Sequence, residues 1–299
     1  MITNETYFEL NNKGLSQSKI KDYIIDPNYC YRKNISGKLK KDYKQAWNIG
    51  SAIDDILTEK DNMSSYAVLS VPLGEKATYF MTKVGKAYKQ SLIDAGQSIL
   101  SVADYNLIIE VTDAVEQTSA WKQIKKEYTF QEILEVPMEL GEHFDCLYGK
   151  PDAYKINKDG VCDLLDVKTT ASLPVDLATG EIALRKYMYS ALDFGYFIQL
   201  WFYGFLLKSK YPQIKSFRYW HLTAEKKEPY HVELFRVDDE EVEKCEDYIM
   251  TVIDKIAGDK DFAKRDTGFD NFTKLGWFTK EDDITEEVEK CEDYIGKIN

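Results

Sequence analysis

The 299-residue chain is 44% hydrophobic and 30% charged, the composition of a globular protein with a sizeable core and not of a disordered chain or a fibre. No run approaches the roughly eighteen apolar residues that a membrane span requires. The formal charge of −12 argues against a nucleic-acid partner until its distribution is considered. Lys13 to Lys44 carries nine Lys/Arg against three Asp, whereas Glu225 to Asn299 carries twenty-three Asp/Glu against twelve Lys/Arg. A phosphate backbone can therefore be attracted at the front and repelled at the back.

The opening MITNETYFELNNKG lacks the layout of a secretory signal. Five cysteines, Cys30, Cys146, Cys162, Cys245 and Cys291, are odd in number and form no C-x-x-C pair. They point to reduced thiols in a cytoplasmic protein, not to disulfides or a zinc knuckle. Three scattered histidines, His143, His221 and His231, suggest no His-built metal site.

In chain order, Ser16 or Ser18 can cap a short helix carrying Ile20, Tyr23 and Ile24, stopped by Asp26-Pro27. A helical period runs from about Tyr43 to Glu59. Two further helices are expected over Lys76–Ala95 and Ala103–Ile124, separated by Gly96 and Ser98–Ser101. The character then changes to strands: Phe130–Leu140, His143–Ile156 and Val161–Thr169, the last two joined by the hairpin signal Asn157-Lys158-Asp159-Gly160. An aromatic helix over Glu181–Lys208, strands over Phe217–Thr223 and Tyr230–Val237, and an acidic helix over Asp238–Ala257 complete the pattern. This order predicts an α+β (mixed α/β) fold around one central sheet. Its parts are a helical 1–125 integral to the fold, a core over 126–237, and an acidic extension over 238–299. The string EEVEKCEDYI occurs at Glu240–Ile249 and again at Glu286–Ile295, a local duplication that carries no chemistry.

The chemistry is expected on the hairpin. Strand alternation sets Asp166 and Lys168 on one face and Val167 on the other. Folding about the turn brings Asp152 to within about one residue of a position opposite Asp166, with the facing left open by the loop register. Carboxylate oxygens are hard ligands that suit Mg²⁺ or Mn²⁺. Such an ion activates water and neutralises a phosphate, and a neighbouring lysine can stabilise the transition state. The alternative is an ordinary exposed ion pair.

Gly149-Lys150-Pro151-Asp152 followed by Asp166-Val167-Lys168-Thr169-Thr170 resembles the core of the PD-(D/E)XK nuclease superfamily. Further elements in the expected order are similar to its RecB-like branch and, within it, to RecE-type phage and prophage exonucleases. They are Leu15–Ile20 with Cys30-Tyr31-Arg32-Lys33, Gly50–Asp54, Gly96–Ser101 running into Tyr105, and Gly195-Tyr196 with Gln199 to Tyr203. The branch usually has His where this chain has Asp54, an acidic replacement known elsewhere in the superfamily, and the helical period alone does not choose between Asp54 and Asp55. The thiols needed for an iron–sulfur cluster are not grouped, so none is expected.

The resemblance implies a restriction-endonuclease-like core. Its metal site is formed by Asp152, Asp166, the Val167 carbonyl and Asp54, with Lys168 as a catalytic residue. Ser16, Ser18, Arg32, Lys33, Gln199 and Tyr203 are implied DNA contacts, Tyr203 having aromatic core packing as its alternative. The basic stretch through Lys38, Lys40, Lys41 and Lys44 is a candidate for backbone contacts. The implied activity is Mg²⁺- or Mn²⁺-dependent exonuclease action on double-stranded DNA ends, for recombination or repair. The implied setting is a phage or prophage in the bacterial cytoplasm, with a ring-shaped homo-oligomer and a single-strand annealing protein as partner. An endonuclease on the same core and a catalytically inactive DNA-binding module are the rival readings.

Overall fold

The computed structural model describes residues 4–39, 45–58, 62–76, 78–173, 182 and 184–260. The chain divides into two units, 1–263 and 264–299, and the described residues all belong to the first. Lys40, Lys41, Lys44, Cys291 and the second EEVEKCEDYI string lie outside them.

The front of the chain is helical: α1 (Asn4–Lys13), a two-residue strand β1 (Gly14–Leu15), α2 (Gln17–Ile25), α3 (Pro27–Asn34) and α4 (Gln45–Thr58). Ser16, not Ser18, caps α2, its side chain accepting from the Lys19 N–H. Asp26 ends α2 and caps α3, with Pro27 at the first turn where its missing N–H costs nothing. Next come β2 (Tyr66–Leu69), α5 (Lys83–Asp94) and β3 (Ser98–Ser101). The serine-rich separator is thus a strand, paired in parallel with β2. The expected helix beyond it is two, α6 (Val102–Gln117) and α7 (Ser119–Glu127), because extended Thr118 caps the second.

The remaining elements are β4 (Thr129–Phe130), β5 (Leu134–Leu140), β6 (Phe144–Gly149), β7 (Ala153–Ile156), β8 (Val161–Thr170), α8 (Leu184–Asp193), α9 (Tyr196–Lys210), β9 (Ser216–Glu225), β10 (Val232–Val237), α10 (Asp239–Glu243) and α11 (Cys245–Gly258). They build a five-stranded mixed sheet in the order β10-β9-β8-β7-β4 and a separate three-stranded sheet, β1-β6-β5. The stretch read as one strand, 143–156, breaks at Lys150-Pro151. Proline cannot donate to a ladder, and β6 and β7 go to different sheets. The aromatic helix is likewise broken, by Gly195 at φ +63°, a left-handed conformation that glycine adopts without strain.

Helices cover both faces of the larger sheet. On one, Leu165 and Val167 of β8 and Leu222 and Ala224 of β9 pack with Ile49, Ile53, Ile108 and Val111 of α4 and α6. On the other, Cys162, Leu164 and Tyr219 pack against Phe197, Leu200 and Trp201 of α9. Ile249, Val252, Ile253 and Ile256 of α11 belong to that same core. Residues 239–258 are therefore part of the first unit. In the first EEVEKCEDYI copy, Val242 and Ile249 are buried.

Candidate active site

Along β8, the residues facing α9 run Cys162, Leu164, Asp166, Lys168, so the face is apolar at its start and charged at its end. β8 and β9 are parallel with Asp166 opposite His221 and Lys168 opposite Thr223. β7 pairs Ala153 with Leu165, which puts Asp152 just beyond the strand at the level of Asp166. Its Oδ2 accepts from the Val167 N–H at 2.7 Å. A strand residue exchanges its N–H and C=O bonds across one edge, so the Val167 carbonyl leaves by the side that meets Asp152. Val167 itself packs into the opposite core, as the alternation requires.

Asp166 is 1% exposed and heavily engaged. Oδ1 accepts from Gln199 Nε2 at 2.7 Å, and Oδ2 lies 2.5 Å from Lys168 Nζ. Lys168 Nζ also donates to Gln199 Oε1 at 3.3 Å and stands 4.8 Å from the centre of the Tyr196 ring. Burial works against the Lys168 charge, but Asp166 and Asp152 outweigh it and raise the pKa, so the ammonium persists.

Asp54 reaches the cluster from α4. Burial, then Asp55, then the field of Asp166 push its pKa up to about 7, against the pull of Lys168 and Lys150. Asp152 is raised well above the carboxylate range by burial, Asp54 and Asp166. Asp55 is held elsewhere, its Oδ2 accepting from Tyr66 Oη at 2.5 Å. The helical period left these neighbours undistinguished; the packing separates them.

Among the described residues, no group of three or more His, Cys, Asp or Glu side chains closes on one point as a ready-made metal cage. Asp152 accepts from the Val167 N–H and Asp166 is paired with Lys168. The donor set nonetheless fits a hard divalent cation. It offers buried carboxylate oxygens and mutual repulsion that such an ion would relieve.

The other expected residues divide. Gln199 is a clamp inside the cluster. Tyr203, one turn further along α9, is 8% exposed and packs its ring over Gly149. Ser16 is buried as the α2 cap and shares a 2.9 Å hydrogen bond with exposed Ser18. Lys33 is paired with Asp22 at 2.8 Å, whereas Arg32 and Lys38 are exposed. Cys30 is a packing residue, fully buried, with Sγ donating to the Lys19 carbonyl.

Three residues that sequence reasoning missed also belong to the cluster. Lys21 of α2 donates to the Phe194 carbonyl at 3.1 Å. Its pKa is lowered to about 8 by burial and by the neighbouring Lys168 charge. Tyr196 lies under Lys168, and His221 places Nε2 3.8 Å from Asp166 Oδ2. The available signal for His221 was parity: His221 and Thr223 share a strand face, as do Asp166 and Lys168.

No protein-family model and no curated protein sequence matches the chain. Among solved structures, one from Eubacterium rectale, described as a "putative exonuclease", matches with a TM-score of 0.55. The match covers 86% of this chain and 86% of that one, at 16% identity. The crystal structure of SSO0001 overlaps 70% of this chain and 87% of its own at 13% identity, with a TM-score of 0.26 that carries no argument. The first likeness is one of fold: mixed sheets flanked by helices.

Proposed function

We propose that this protein is a divalent-metal-dependent deoxyribonuclease that hydrolyses phosphodiester bonds from double-stranded DNA ends. The observation that carries the reading is the gathering of Asp54, Asp152 and Asp166 around Lys168 at the carboxyl end of a parallel strand pair, where open α/β sheets place their ligands. The fold shared with the Eubacterium rectale "putative exonuclease" agrees with it, as does the ordered set of RecB-like motifs. A phage or prophage setting, a ring-shaped oligomer and a single-strand annealing partner rest on that motif resemblance.

Asp152, Asp166, Asp54 and the Val167 carbonyl would hold Mg²⁺ or Mn²⁺. Bound there, the ion supplies Lewis acidity, lowering the pKa of a water and offsetting phosphate charge. The chain's own groups do the rest. A water oxygen attacks phosphorus and gives up a proton to solvent, one P–O ester bond breaks, and the leaving oxygen takes up a proton from solvent. Lys168, kept charged by its two carboxylates and aimed by Gln199, donates to the phosphate oxygen on which charge accumulates. Lys21 adds a second positive charge beside it, and exposed Arg32 and Lys38 offer backbone contacts that position DNA without reading its sequence.

The deciding experiment is a time course on end-labelled linear duplex and on closed circular DNA, with Mg²⁺, Mn²⁺ or EDTA, for wild type and Lys168→Ala. Degradation of the linear duplex alone, lost with EDTA and with the substitution, is expected. Cleavage of the circle would make the protein an endonuclease on the same core. Activity that survives both chelation and the loss of Lys168 removes the mechanism.

A further inference from the structure

Behind Asp166 lies a buried chain of polar groups for which the proposed hydrolysis has so far had no use. His221 and Thr223 are 0% exposed on β9. Tyr187, on α8, brings its hydroxyl to 2.9 Å from His221 Nδ1 and accepts from Thr223 Oγ1 at 3.0 Å. With the threonine donating to the phenol, the phenol's own proton is directed at Nδ1. An imidazole that accepts at Nδ1 carries its proton on Nε2.

The Nε2 so defined points toward the site. It lies 3.8 Å from Asp166 Oδ2 and has no hydrogen-bond partner among the described residues. The Lys168 ion pair holds Oδ2 instead. The ring cannot swing elsewhere at low cost, since Tyr187 and Tyr196 both meet it edge-on, at centroid distances of 6.0 and 5.6 Å. A buried N–H left without an acceptor is expensive to keep unless something brings one to it.

We propose that His221 is a positioning residue for Asp166. When Lys168 turns from Oδ2 to the substrate phosphate, the His221 Nε2–H takes its place. The carboxylate would then be held by Gln199 on Oδ1 and His221 on Oδ2, the orientation in which it would serve a divalent ion. Thr223 and Tyr187 serve only to fix the tautomer. The proposal rests on the nuclease reading for what Asp166 does, but its core, a neutral Nε2–H histidine aimed at Asp166, does not.

The test has two arms. The first is the tautomer of His221 in the metal-free wild type, read from its imidazole ¹⁵N and ¹³C shifts at neutral pH. Only His143 and His231 share the spectrum, and His221→Gln assigns the signal. An Nε2–H tautomer is expected, shifting toward a tautomeric mixture in Tyr187→Phe. An Nδ1–H tautomer or an imidazolium overturns the proposal. The second arm is Mn²⁺ affinity without DNA, measured by electron paramagnetic resonance. His221→Phe, similar in size but without the donor, is expected to weaken binding about tenfold or more, and His221→Gln, which keeps an N–H near Nε2, to restore most of it. Unchanged affinity in a folded His221→Phe protein overturns the proposal. If wild type binds no Mn²⁺, the nuclease reading falls, and the tautomer alone decides whether His221 is built to hold Asp166.

Discussion

Gln199 spans Asp166 and Lys168, donating from Nε2 to the carboxylate at 2.7 Å and accepting on Oε1 from the ammonium at 3.3 Å. An amide offers a donor and an acceptor on separate atoms at its tip. Gln199→Met keeps the length and removes both. Asp166 Oδ1 is then a buried acceptor without its donor, a cost of about 1–3 kcal/mol. For a unit of this size each kcal/mol lowers the melting temperature by about 2–4 °C. Thermal unfolding should show that drop, and the end-labelled assay a loss of at least tenfold in rate. A Gln199→Met protein as stable and active as wild type would show that the clamp is incidental.

Lys168→Ala removes the group proposed to meet the developing charge. A rate loss of about 10²–10³, the range for deleting one preorganised donor, is expected with duplex affinity changed only a few-fold. The same change strips Asp166 and Asp152 of their counter-ion. Removing one partner of a buried pair costs about 3–5 kcal/mol where nothing replaces it. The Ala protein should therefore melt lower in EDTA and recover with Mg²⁺ by more than wild type does. Equal responses to Mg²⁺ would mean that the ion does not bind among these carboxylates.

Asp54 supplies the pH prediction. Its folded-state pKa, about 7, is raised above the ordinary carboxylate value of 3.8, so the folded protein binds a proton more tightly than the unfolded chain. Its contribution to stability is fully present below the unfolded value and is lost as pH rises through about 7. Asp152 is shifted in the same direction and steepens the fall. In EDTA the melting temperature should decline between about pH 4 and pH 7, and Mg²⁺ should reverse the decline at the upper end. Asp54→Asn removes a repelling charge, so it should flatten the profile and raise the melting temperature at pH 8 while abolishing activity, a trade expected where function stores repulsion. Asp55→Asn, tied to Tyr66 at the edge of the cluster, should keep activity within a few-fold. The reverse ranking of the two variants would assign the role to Asp55.

Asp152, Asp166 and Lys168 could be read from residue spacing, Asp54 and Gln199 from the motif resemblance, and the part that could not be read has a physical reason. The facing of Asp166, Lys168 and Val167 follows from strand parity, and the level of Asp152 from the length of the Asn157–Gly160 turn. Parity also holds for His221 and Thr223, but which strand lies beside β8, and in what register, is a long-range choice that local pattern does not contain. Lys21 enters because the left-handed turn at Gly195 brings the start of α9 against α2, with the Lys21 side chain running past the glycine. The break between β6 and β7 was signalled by Pro151, yet a proline marks a break without saying where the next strand goes. Tyr203 is the instructive case. Sharing a helix face with Gln199 predicts that both border the site, but one turn of helix is enough to carry the second from the charged rim into the core.

Gly149 tests that placement of Tyr203. A methyl group added at Gly149 would sit 2.8 Å from Tyr203 Cε1 and 3.0 Å from Leu206 Cδ1, closer than carbon atoms pack. Gly149 ends β6, just before the segment that delivers Asp152, so the helix cannot retreat without disturbing the floor beneath the cluster. Gly149→Ala should cost about 1–3 kcal/mol, the usual penalty for overpacking. If the ring is the obstacle, a smaller residue at 203 relieves it. The cost of Gly149→Ala measured in a Tyr203→Leu background should then be less than half its cost in wild type, a coupling that a double-mutant cycle of four melting curves resolves. Strictly additive costs would place the Tyr203 ring away from Gly149, and with it the boundary between core and site along α9.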